Sequence, residues 1–242
     1  MDQLNNFFFE VEFAKDLWRW YDILNTIKDH KALTNDPILD KIQAQIIVDR
    51  DAALAYFYAL HFNYKTYLMQ RVIVESKNPK YLFGWAKDIV GADKKAIQSL
   101  IMATHNVKYI CYFGLFVKGA NTHKIEQIVA KSKQAKYAHL WVKHHKGAKI
   151  SLFKQIIIDS KKPKYLLELA RHLTRKQDIK TIENALVKLG SLTYIRLFAS
   201  EIRYADIPRL EAIILKSHNM VEIKKFAKSV KGSSIGNFYI LF

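Results

Sequence analysis

The sequence is poor in cysteine, proline and glycine, and it has no long apolar run. Its single cysteine, Cys111, excludes an internal disulfide and a zinc site built from cysteines. Only 8 glycines and 4 prolines occur in 242 residues, whereas β-sandwiches and barrels need turn residues at roughly every 8–12 positions. No apolar stretch approaches the roughly 20 residues of a membrane-spanning helix. These absences favour a soluble α-helical protein of the cytoplasm, a reducing compartment, with no membrane partner.

The charge of the chain is unevenly distributed. The formal net charge is +17, yet residues 1–51 contain 6 basic and 10 acidic residues. Residues 94–180 contain 19 basic and 4 acidic residues, a net charge of +15. Because the basic excess extends over most of the chain rather than a tail, it indicates a polyanion as the partner.

A repeat of 28 residues runs through the chain from about residue 76. Its anchor position, a tyrosine in five of six copies, recurs with spacings of 28, 28, 28, 29 and 28 at Tyr81, Tyr109, Tyr137, Tyr165, Tyr194 and Glu222. A degenerate copy precedes these at about residues 49–69. Sequence periods of this length are typical of architectures in which each unit stacks on its neighbours.

Each repeat is predicted to form two short helices. Asn78 followed by Pro79 is typical of an N-cap and the first residue of a helix. Glycines that follow the first helix favour a left-handed residue there, and Asp93 and Asn121 are predicted to cap the second helix; the glycines are Gly91, Gly119 and Gly147. Large apolar residues recur one helical turn after the anchor, at Trp85, Phe113, Trp141, Leu169, Phe198 and Phe226.

Two helices of about 10–12 residues cannot bury their apolar faces alone, whereas stacked helix pairs bury a continuous core. We therefore predict an all-α fold, an α-solenoid of about six to seven two-helix repeats that form one continuous domain over residues 48–242. Residues 1–47, which are acidic and aromatic, are predicted to form an atypical helical cap. The repeated aromatic residues are predicted to belong to the core rather than to a surface that stacks bases.

The repeat resembles short two-helix tandem repeats that are HEAT-like in organisation. Its Lys-Tyr-apolar and Gly-Ala-Asp/Asn segments are similar to those of uncharacterised phage and giant-virus proteins. The resemblance covers about residues 76–232. It implies an architecture and carries no single function.

Lysines are the candidate binding residues. One precedes the anchor tyrosine in four consecutive copies, in the first helical turn, where the helix dipole disfavours a cation by roughly a few tenths of a kcal/mol. Recurrence against this preference indicates a gain elsewhere, and helix N-termini favour phosphate. The predicted nucleic-acid-binding residues are Lys80, Lys108, Lys136, Lys164, Lys87, Lys143, Arg171, Lys133, Lys161, Lys162, Lys118 and Lys146.

Structural explanations compete with this interpretation. Lysine stems cover apolar neighbours on many solenoid surfaces, and duplication copies a lysine whether or not it binds anything. His144, His145 and His172 fall near one another in the predicted stack, but zinc sites show tighter spacing and carboxylate or cysteine partners. We therefore predict no metal site and no cofactor.

The sequence lacks the glycine-rich nucleotide motifs, the zinc-protease motif and the nucleophile elbow, so enzyme activity is not favoured. The leading hypothesis is a non-enzymatic protein that binds RNA or DNA phosphates along a lysine ridge, with little sequence preference. One alternative is a scaffold for an acidic protein partner, including a viral factor that engages a host protein. A third is a HEAT-like DNA-repair glycosylase, for which no Asp–aromatic cleft is identifiable.

Overall fold

A computed structural model describes residues 37–62 and 65–235 of the chain. Over these ranges it contains fourteen α-helices and no β-strand, and within each of two compact units the helices that are neighbours in the sequence pack on one another. The predicted all-α fold is confirmed, and the consecutive packing is that of an α-solenoid. Most of the predicted cap and the apolar residues 237–242 lie outside the described ranges.

Most of the helices are ten residues long, as the short repeat requires. They are α1 (Pro37–Asp49), α2 (Ala52–Phe62), α3 (Thr66–Ser76), α4 (Pro79–Asp88), α5 (Lys94–Ala103), α6 (Val107–Phe116), α7 (Thr122–Lys131), α8 (Ala135–His144), α9 (Ile150–Asp159), α10 (Pro163–Arg171), α11 (Lys176–Leu189), α12 (Leu192–Glu201), α13 (Ile207–Lys216) and α14 (Met220–Ser229).

The helices belong to two compact units, Met1–Asn121 and Thr122–Phe242. In the first unit the first helices of successive repeats, α2, α4 and α6, pack on one another, and α3 and α5 lie against them. In the second unit α8, α10, α12 and α14 pack in the same succession, and the second helices α7, α9, α11 and α13 lie against them. The inter-repeat loops, which join a second helix to the next first helix, therefore lie side by side within each unit.

The predicted helix starts are largely confirmed. The Asn78 side chain accepts a hydrogen bond from the backbone N–H of Lys80, and Pro79 is the first residue of α4. Asp93 likewise accepts from the N–H of Ala96 at the start of α5. Gly91 is left-handed, with φ of 81°, but it lies two residues beyond the C-cap of α4 rather than at the helix end.

The prediction of a left-handed backbone is wrong for the third glycine, Gly147. Gly119 has φ of 88°, as expected, whereas Gly147 has no positive φ. A Cβ at Gly147 would meet the imidazole of His145 at 3.5 Å. That distance is an ordinary van der Waals contact, so neither backbone conformation nor space requires glycine at this position.

The predicted core column is confirmed. Its six members, from Trp85 to Phe226, are each at most 1 % exposed. The second helices contribute equally buried residues, including Ile97, Ile125 and Phe153. Because burial of one aromatic or leucine side chain stabilises a fold by roughly 1.5–3 kcal/mol, this column is a main source of stability in each unit.

A column of buried polar residues in the second helices escaped the sequence analysis. Each member binds the backbone of the next loop between paired helices, about 23 residues later; the members are Gln98, Glu126, Glu183 and Glu211. Glu126 Oε1 accepts from the N–H of Lys149 at 2.7 Å and from Trp141 Nε1–H at 3.2 Å. The side chain of Gln98 accepts a hydrogen bond from the N–H of Asn121 and donates one to its carbonyl oxygen. Asn121 was predicted only as an N-cap, and this contact of its backbone was not predicted.

This buried column predicts a stability test at Glu126. Replacement by Ala should destabilise the protein by about 1–3 kcal/mol, because the Lys149 N–H and the buried Trp141 Nε1–H lose their acceptor. Replacement by Gln should retain most of the stability, since Gln98 makes the equivalent contact in the preceding copy. Chemical denaturation compares the two variants, and an equal loss in both would contradict the role given to the side-chain oxygen.

Candidate nucleic-acid interface

The twelve predicted residues lie at two opposite ends of the first helices. One group stands at the helix starts and in the inter-repeat loops: Lys80, Lys108, Lys133, Lys136, Lys161, Lys162 and Lys164. The other stands at or just beyond the helix ends: Lys87, Lys118, Lys143, Lys146 and Arg171. A ten-residue helix is about 15 Å long, so the structure divides the predicted ridge into two groups.

The group at the helix ends has structural reasons to be basic. The helix dipole favours cations at a C-terminus. Arg171 forms ion pairs with Glu168 and, at 2.6 Å, with Glu201, and the hydrogen bond to Glu201 raises the pKa of the guanidinium above its usual value. The Nζ of Lys87 lies 3.4 Å from the carboxylate of Asp88. Lys87 and Arg171 are therefore weaker candidates than they were in the sequence analysis.

The lysines at the helix starts lie over the anchor tyrosines. The Nζ of Lys80 is 5.3 Å from the ring centroid of Tyr81, and the Nζ of Lys136 is 5.7 Å from that of Tyr137. In the fourth copy Lys162, rather than Lys164, takes this place over Tyr165. Such cation–π contacts stabilise by about 0.5–1 kcal/mol at exposed sites. Recurrence of the Lys-Tyr pair thus has a structural explanation and does not by itself indicate a ligand.

A stronger signal lies in the inter-repeat loops. One residue in each loop has a left-handed backbone, which disfavours any residue with a Cβ by roughly 1–2 kcal/mol. At this position the chain has Arg50, Lys77, His105, Lys133, Lys161 and His218, with φ between 51° and 54°, and Gly190 in the remaining copy. Every residue that is not glycine here is basic and exposed. We call these six the left-handed basic residues.

The preceding hydroxyl residue fixes this loop. Ser132 Oγ donates to the carbonyl of Val129 at 2.7 Å and accepts from the N–H of Gln134 at 3.3 Å, on either side of Lys133. The same pair of hydrogen bonds recurs at Ser76, Thr104, Ser160 and Ser217. The backbone conformation is therefore imposed by the repeat, whatever side chain occupies the left-handed position.

Within the described residues, the loop lysines of the second unit form no ion pair. Among the described residues, no acidic oxygen lies within 4.0 Å of the ammonium groups of Lys133, Lys136, Lys161, Lys162 or Lys164. Sequence reasoning identified these five lysines. It did not identify the strain, because a left-handed residue is normally recognised from glycine or asparagine.

Residues 37–62 and 65–235 contain neither a metal-ligating cluster nor a membrane-spanning helix. No group of three His, Cys, Asp or Glu side chains there could hold a metal ion. None of the helices in those ranges is both long and apolar enough to cross a membrane. Comparison of the chain with models of known protein families, with characterised proteins and with solved structures finds no match.

Proposed function

We propose that this protein binds nucleic acid without catalysis, through phosphate contacts made by the left-handed basic residues and the lysines at the neighbouring helix starts. The observation that carries the proposal is a basic side chain kept at a strained backbone position in six loops. Gly190 occupies the same position in the seventh loop without strain. Strain that persists where an unstrained residue fits is typical of functional positions.

The chemistry of the loops favours phosphate. In the second unit, Lys133 and Lys136 from one repeat stand beside Lys161, Lys162 and Lys164 from the next, because α8 packs on α10. Packed helices lie about 8–10 Å apart, so successive loops present cations at intervals that a phosphodiester chain can follow. The N-termini of the first helices add N–H groups that favour anions.

Recognition of the nucleic-acid backbone, rather than of the bases, follows from the burial of the repeat aromatics. Tyr81 and Tyr109 are 7 % and 6 % exposed, and Trp85 and Trp141 at most 1 %. The anchor tyrosines of the second unit are half-buried, and lysines lie over two of their rings. The repeat aromatics therefore offer little free surface for base stacking. Contacts to phosphate position a protein without reading sequence, and we therefore propose weak sequence preference.

Two finer assignments depend on sequence alone. We propose a viral origin from the resemblance to HEAT-like repeats of phage and giant-virus proteins. We propose a cytoplasmic location because the single cysteine cannot form an internal disulfide. An acidic protein partner would use the same cations. Nucleic-acid binding is the proposal that the repeated spacing of these cations supports better.

Replacing Lys133 and Lys161 with Gly together separates function from structure, because its two expected effects have opposite signs. The protein should become more stable, by up to about 1 kcal/mol per site, since glycine adopts positive φ readily. Its affinity for duplex nucleic acid should fall, and the slope of log K against log salt should become shallower by about 0.9 for each lost phosphate contact. Thermal unfolding and fluorescence anisotropy measure the two effects.

The reverse substitution, Gly190→Lys, is the matched control. It restores the consensus of the other loops, so it should destabilise the protein by about 1–2 kcal/mol and strengthen binding. If the Lys→Gly variant gains stability and binds nucleic acid as tightly as the natural sequence, the loop residues do not contact phosphate. Wild-type protein that binds an acidic polypeptide but no nucleic acid would favour the scaffold function instead.

A further inference from the structure

A small basic cavity lies in the second unit at the end of α8, away from the inter-repeat loops. Its volume is about 260 Å³. Lys143, His145, Lys146 and His172 line it together with apolar residues that include Val142 and Ile150. The cations come from α8 and the loop that follows it, and His172 is the C-cap of α10.

The imidazole of His145 is held in place rather than free on the surface. Its ring packs on the buried Trp141, with centroids 4.9 Å apart, and lies beside Gly147, where a Cβ would be 3.5 Å from Nε2. The His145 backbone N–H donates to the Trp141 carbonyl at 2.8 Å. A ring positioned in this way lines the cavity and can bind a ligand at little further cost in conformational entropy.

Among the described residues, no acidic side chain lines this cavity to offset its positive charge. Two other grooves of the same unit each contain a carboxylate beside their lysines, Asp206 in one and Asp159 in the other. Burial, and then the charge of Lys143, lowers the pKa of the adjacent His144 below its usual value. The neighbouring carboxylate Glu168 opposes this shift but is ion-paired with Arg171. A bound anion would relieve the repulsion among these cations.

We propose that this cavity binds a phosphate monoester group. Two ammonium groups and two imidazoles supply donors from several directions, as a tetrahedral dianion requires, and charge-assisted hydrogen bonds are the strong ones. A water molecule occupies about 30 Å³ of liquid, so the cavity has the volume of about eight water molecules and can hold a phosphate group together with part of the molecule that carries it. Free phosphate, a phosphorylated small molecule and the terminal phosphate of an oligonucleotide share this chemistry. The proposal does not depend on the loop lysines.

Titration with inorganic phosphate, followed by NMR of the histidine ring signals, tests the proposal. At constant ionic strength, phosphate but not chloride should shift the His145 and His172 signals in a saturable way. Lys143→Gln and Lys146→Gln should each weaken phosphate binding by about tenfold, the value of one charge-assisted hydrogen bond. Lys224→Gln, a loss of one exposed lysine of α14 in the same unit, should leave the affinity unchanged.

Shifts that do not saturate, or an equal loss in the Lys224→Gln control, would show general charge screening and overturn the proposal. Saturable binding that survives both Lys143→Gln and Lys146→Gln would also overturn it. Competition then identifies the source of the phosphate. A 5′-phosphorylated oligonucleotide that displaces inorganic phosphate better than its 5′-hydroxyl form indicates a nucleic-acid end, whereas a small phosphomonoester that displaces it equally well indicates a metabolite.

Discussion

Reversal of four loop lysines, Lys133, Lys136, Lys161 and Lys164 to Glu, should weaken binding of duplex nucleic acid by about a thousandfold near physiological salt. Each phosphate contact contributes about −0.9 to the slope of log K against log salt, so the loss of four contacts should make the slope shallower by roughly 3–4. Affinity should fall alike for every sequence, because phosphate contacts carry no sequence information. The four side chains are exposed, and the fold should therefore persist.

A matched variant separates the effect of the position of the lysines from the effect of the net charge of the protein. Lys149, Lys176, Lys228 and Lys231 are equally exposed but lie at the opposite end of the repeats of the same unit. Their reversal to Glu lowers the net charge by the same amount and should weaken binding far less. Equal losses in the two variants would mean that binding depends on the overall charge of the protein and not on the inter-repeat loops.

Replacement of Trp141 by Ala should destabilise the protein by about 3–5 kcal/mol, as for other buried aromatic residues. Trp141 is 0 % exposed in the centre of the core column, and its Nε1–H donates to the buried Glu126. Equilibrium denaturation with tryptophan-independent circular dichroism measures the loss. A near-neutral effect would contradict the core assignment and would make the aromatic column available for base stacking.

Trp85 is the matched control for the hydrogen-bonded part of this loss. It occupies the same position two repeats earlier and is 1 % exposed, but its Nε1 has no hydrogen-bond partner among the described residues. The Trp141→Phe substitution should therefore lower the free energy of unfolding by about 1–3 kcal/mol more than Trp85→Phe does. Only the loss of the Trp141 indole N–H removes a hydrogen-bond partner from a buried carboxylate. Equal costs would show that the contact with Glu126 contributes nothing.

The helix pairs and the core column could be predicted because their signals are local and repeated. Asn78, Pro79 and Asp93 have preferred helical positions for reasons of hydrogen bonding and fixed φ, and the structure places each as expected. The apolar column recurs with the period of the repeat, so a substitution in one copy does not obscure the pattern. Because the pattern is repeated, the architecture is easier to predict from the whole sequence than from any single repeat.

The missed features share a different cause. The buried polar column is Gln98 in one copy and Glu in three others, and the half-buried Lys154, which pairs with Asp178, takes the corresponding position in the copy between them. Its contacts reach a loop 23 residues away and become visible only when repeats are stacked. The left-handed conformation of Lys133 was hidden because a preference for glycine is the usual signal. Backbone strain and long-range hydrogen bonds both require coordinates.

The most direct measurement is the affinity of the unmodified protein for matched single- and double-stranded DNA and RNA over a range of salt concentrations. The proposal predicts binding to at least one of them at low salt, with log K falling linearly against log salt and with little dependence on sequence. Absence of binding to all four nucleic acids at low salt, or an affinity that does not change with salt, would contradict it.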